Sequence, residues 1–69
     1  MKGNRKPYSE NEFLLNSLQS ARLELHEAAN LFNELTDNDA IDYASYNLLA
    51  ARTRYSYLLK LAKEKQLSL

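Results

Sequence analysis

The sequence predicts an all-α fold, a long antiparallel two-helix hairpin that dimerises into a four-helix bundle. Three observations carry that expectation. A single Gly and a single Pro in 69 residues leave few turn formers for a sheet. Two long runs place apolar residues at alternating spacings of three and four, and one short cluster of cap and turn residues separates them.

Size and composition bound what such a chain can be. A chain of this length buries only about 60% of the surface its unfolded form exposes, so it holds one domain with a thin or shared core. It has no Cys, which excludes disulfides and thiolate metal sites. The segment MKGNRKPYSENE carries positive charge with no apolar stretch behind it, so it does not read as a secretory signal, and no run is apolar for long enough to span a membrane. These features predict a cytoplasmic protein. Nine basic residues balance nine acidic ones, which argues against a surface that is basic throughout.

Residues 1–8 hold the only Gly and Pro and show no apolar periodicity; they read as a flexible basic arm before a single domain at 9–69. The first helix is expected at about 10–35. It starts at SENE, where Ser9 as N-cap and Glu12 three residues on form a capping box, and Glu10 adds negative charge at the positive pole of the dipole. Leu14, Leu18, Ala21, Leu25, Ala28, Phe32 and Leu35 then recur as a heptad seam.

Thr36, Asp37, Asn38 and Asp39 interrupt that pattern, and either Thr36 or Asp37 suits the next N-cap, with the turn at about 36–38. So short a turn makes the helices antiparallel neighbours. The second helix, about 39–66, answers with Ile41, Ala44, Leu48, Ala51, Tyr55, Leu58 and Ala62, while Lys60, Lys63 and Lys65 complement the negative pole at its end. Within it, RTRYSYLLK alternates like a strand for six residues. Tyr55 and Leu58 nevertheless continue the 3.5-residue period of both flanks, and the turns that a strand needs are absent.

The second helix has more apolar surface than one partner helix covers. At about 100° per residue, Tyr43, Tyr46, Ala50, Tyr57 and Leu61 cluster roughly 130° around from its seam, with Leu49 and Leu59 elsewhere. Phe13, Leu15, Leu23 and Leu31 likewise lie outside the first seam. Together they predict an interface, for a second copy or for an amphipathic helix of another protein. Charge favours one arrangement of a dimer. Glu34, Asp37, Asp39 and Asp42 gather at the turn, and Lys2, Arg5, Lys6, Lys60, Lys63 and Lys65 at the open end, so hairpins packed turn to open end attract.

Chemistry is harder to find. His26 lacks the Glu three residues earlier that a di-iron bundle uses, since Leu23 stands there. DNDAID lacks the central Gly of a calcium loop and has Leu48 where the bidentate Glu belongs. No serine has an activating base at a suitable spacing, and there is no Gly-rich phosphate loop. The sequence therefore predicts no enzyme, no catalytic residue, no metal site and no cofactor. The alternative is a nucleic-acid-associated protein, with Lys2, Arg5, Lys6, Lys60, Lys63 and Lys65 on phosphates and Arg52 and Arg54 beside the tyrosines as supplements.

Residues 35–63, LTDNDAIDYASYNLLAARTRYSYLLKLAK, resemble the YaaL-like family of short bacterial proteins of unknown function. The similarity rests on the acidic turn Asp37 to Asp39, the segment Ile41 to Ala44 and the segment Arg54 to Lys60. Asn38 stands where the family pattern has Pro, and Arg52 where an acidic residue is usual. The resemblance implies a small helical bacterial protein and brings no activity, cofactor or catalytic residue with it.

Overall fold

The computed structural model describes residues 9–67, and the basic arm expected at 1–8 lies outside them. Two α-helices, α1 (Glu10–Glu34) and α2 (Asn38–Glu64), form an antiparallel hairpin, with no strand among the described residues. At about 1.5 Å per residue each helix runs roughly 40 Å.

Local chemistry sets three of the four helix ends. At Ser9 the capping box is present in both directions: the Glu12 N–H donates to Ser9 Oγ at 3.1 Å, and the Ser9 N–H donates to Glu12 Oε1 at 3.0 Å. Of the two cap candidates in the turn, Asp37 serves, its carboxylate accepting from the Ala40 N–H at 3.1 Å. At the far end, the Gln66 N–H donates to the Lys63 carbonyl and the Leu67 N–H to the Ala62 carbonyl, at 3.0 and 2.9 Å. This is a Schellman closure, and Gln66 takes the left-handed conformation (φ 59°) that Gly ordinarily fills. Leu67 folds back onto the apolar cluster at the open end, the hydrophobic contact that accompanies this motif.

All fourteen seam residues are buried or half-buried. The deepest are small: Ala21, Ala44 and Ala62 keep 1% of their surface or less, and Ala28 is buried with them. Alanines at these levels let the helices approach closely. The two buried leucines sit toward the open end, where Leu14 and Leu18 pack with Ala62, Tyr55, Leu58, Leu59 and Leu61. No large side chain is fully buried among the described residues, which is what a single layer of two helices allows.

Two measurements test this packing. Ala44→Leu forces three extra heavy atoms into a closed seam and should cost about 1–3 kcal/mol in urea unfolding. Gln66→Gly should stabilise the chain by up to about 1 kcal/mol, because it relieves a left-handed residue that carries a Cβ.

Candidate interaction surface

The seam leaves the two broad sides of the hairpin to solvent, and they differ. On one side Leu15, Asn16, Gln19 and Arg22 of α1 meet Tyr55 and Leu59 of α2 over a shallow groove of mixed polarity. The other side is more apolar. Here Glu24, Glu27 and Leu31 of α1 border Asn47, Ala50 and Arg54 of α2. Asn47, Ala50 and Arg54 also border a second depression, which continues across Tyr43, Tyr46, Leu49, Thr53 and Tyr57. The two depressions thus form one continuous surface.

The tyrosines stand well out from it: Tyr43, Tyr46 and Tyr57 are 71%, 78% and 61% exposed. Four of the five residues expected at an interface, Tyr43, Tyr46, Ala50 and Tyr57, line this one depression. Leu61 lies a turn beyond, half-buried and packed on the open-end cluster, so it joins the seam to this side. Leu49, which the angular projection sets apart, lines the depression with the tyrosines. Phe13 and Leu31 are also exposed, and because they are eighteen residues apart, five helical turns, they stand on one stripe of α1.

One polar device crosses the surface. The guanidinium of Arg54 donates through both terminal nitrogens to Glu24, Nη1 to Oε1 and Nη2 to Oε2, the latter at 3.3 Å, linking α2 to α1 in a bidentate pair. The pairing follows from the hairpin's register, and nothing in the local sequence announced it. Both side chains are about half exposed, so the pair orients the helices more than it stabilises them.

The basic residues are dispersed. Lys60 and Lys63 border a shallow depression with Ser56, Leu59 and Glu64, and Lys65 is the C-cap of α2. Lys2, Arg5 and Lys6 lie outside the described residues. His26 is exposed beside Gln19, Ser20, Arg22 and Leu23. Among the described residues no three His, Asp or Glu side chains converge as metal ligands, and no helix is long and apolar enough to cross a membrane.

The family model described as protein of unknown function DUF2508 matches residues 1–69, so the chain belongs to that family. No curated protein and no solved structure matches the chain.

The Glu24 and Arg54 coupling can be measured directly. A double-mutant cycle with Glu24→Gln and Arg54→Gln in dilute chain should give about 0.2–1 kcal/mol at low salt. The coupling should shrink as ionic strength rises.

Proposed function

We propose that this member of the DUF2508 family is a non-enzymatic helical association module, working in the bacterial cytoplasm, whose tyrosine side takes up a second copy of the chain to form a four-helix bundle. The YaaL-like character of residues 35–63 fits this reading, since both matching helical segments, Ile41 to Ala44 and Arg54 to Lys60, contribute to the seam and to the tyrosine side.

The observation that carries the proposal is the exposure of Tyr43, Tyr46 and Tyr57 together on one side of a hairpin whose seam is already closed. Soluble monomers rarely leave so continuous an apolar patch in water. Tyrosine suits the role, because the ring adds large contact area while the hydroxyl stays hydrated at the rim.

Polyanion binding is the weaker reading. Lys60 and Lys63 share their surface with Glu64, and the tyrosines lie beside an arginine that Glu24 already engages.

Light scattering across micromolar concentrations should give a mass of two chains. Tyr46→Glu with Tyr57→Glu should reduce it to one chain while circular dichroism keeps its helical signal. A wild-type chain that stays monomeric throughout would rule out self-association and leave the same side to an amphipathic helix of another protein.

A further inference from the structure

We infer that the side of the hairpin opposite the tyrosines is a second docking surface, one that takes an acidic amphipathic helix of another protein. This surface does not depend on self-association, because the seam separates it from the tyrosine side.

Register and helical pitch fix what it presents. The Glu24 and Arg54 contact sets Arg22 about level with Ser56, and so between Arg52 and Lys63 along the hairpin. At about 100° per residue, Arg22 lies roughly 160° around α1 from Glu24, Arg52 roughly 160° around α2 from Arg54, and Lys63 roughly 180°. All three cations therefore stand away from the side that Glu24 and Arg54 cross. Arg22 borders the groove of Leu15, Asn16, Gln19, Tyr55 and Leu59, and Lys63 the adjoining depression that shares Leu59 with it. Arg52 and Lys63 are eleven residues apart, three turns, so one stripe of α2 carries both over about 16 Å.

Charge along this groove is one-sided. Residues 15–22 and 52–63 contain no Asp or Glu, and Glu64 borders the depression only one residue beyond the last cation. Arg22, Arg52 and Lys63 have no ion-pair partner among the described residues, whereas on the tyrosine side Glu24 engages Arg54. Between the cations the surface is apolar. Leu15, Tyr55 and Leu59 are half-buried there, and the buried Leu18 reaches the groove from the seam.

That combination selects the occupant. The apolar stripe of a docked helix covers Leu15, Tyr55 and Leu59, and carboxylates on its two flanks meet Arg22 on one wall and Arg52 and Lys63 on the other. A nucleic-acid strand lying in the groove would set phosphates over leucines, and so few cations would release few counterions.

A fluorescein-labelled synthetic helix of about 15 residues, with Leu along one stripe and Glu on both flanks, is a direct probe. Its anisotropy should saturate with the full chain at micromolar concentrations, and the same peptide with Lys in place of Glu should not bind. Arg22→Glu with Arg52→Glu, both exposed, should weaken binding by about tenfold or more with the helical signal kept, since each reversal also introduces a like charge. Tyr46→Glu with Tyr57→Glu should leave the affinity unchanged, so that loss of self-association and loss of this site read separately. No saturation by the Glu peptide, equal affinity for the Lys peptide, or indifference to the paired arginine reversals overturns the site. Tighter binding of a single-stranded oligonucleotide, or of anionic vesicles, overturns it in favour of that ligand. A wild-type mass above two chains that falls to two on the arginine reversals overturns it in favour of a further copy of the chain.

Discussion

How closely α1 and α2 can approach along Ala21, Ala28, Ala44 and Ala62 governs both the core and the outer faces of this chain. Alanine at the deepest seam positions brings the backbones together and leaves little volume for large side chains between them. The hairpin therefore closes while burying modest apolar area, and the two leucines buried among the described residues, Leu14 and Leu18, pack with Tyr55 and Leu58 at the open end. A thin seam of this kind supplies limited hydrophobic stabilisation on its own. Seven bulky residues among those described, Phe13, Leu23, Leu31, Tyr43, Tyr46, Leu49 and Tyr57, stand on the outside instead.

The helix ends compensate locally for that thin core. The capping box at Ser9 and the Asp37 cap each satisfy backbone donors that would otherwise be left without partners, and they fix where the chain leaves and re-enters helix. The Schellman closure at Gln66 turns Leu67 inward and so extends the apolar cluster past the last helical turn. Each device is worth little alone, yet in a chain with a small stability margin they determine the register of the seam.

The seam and the caps were legible because both are periodic or local signals. Spacings of three and four identified all fourteen seam positions, and SENE and TDND carry their cap chemistry in residue type alone. Two features escaped for opposite reasons. The closure at Gln66 has no Gly to announce it, since hydrogen bonds and the Leu67 contact hold a residue with a Cβ in the left-handed region. The Glu24 and Arg54 pair spans thirty residues, and only the hairpin's register brings the two together. The tyrosine side was readable as an angular cluster. Leu49 fell outside the projection, because a shallow surface depression is wider than the stripe that defines it.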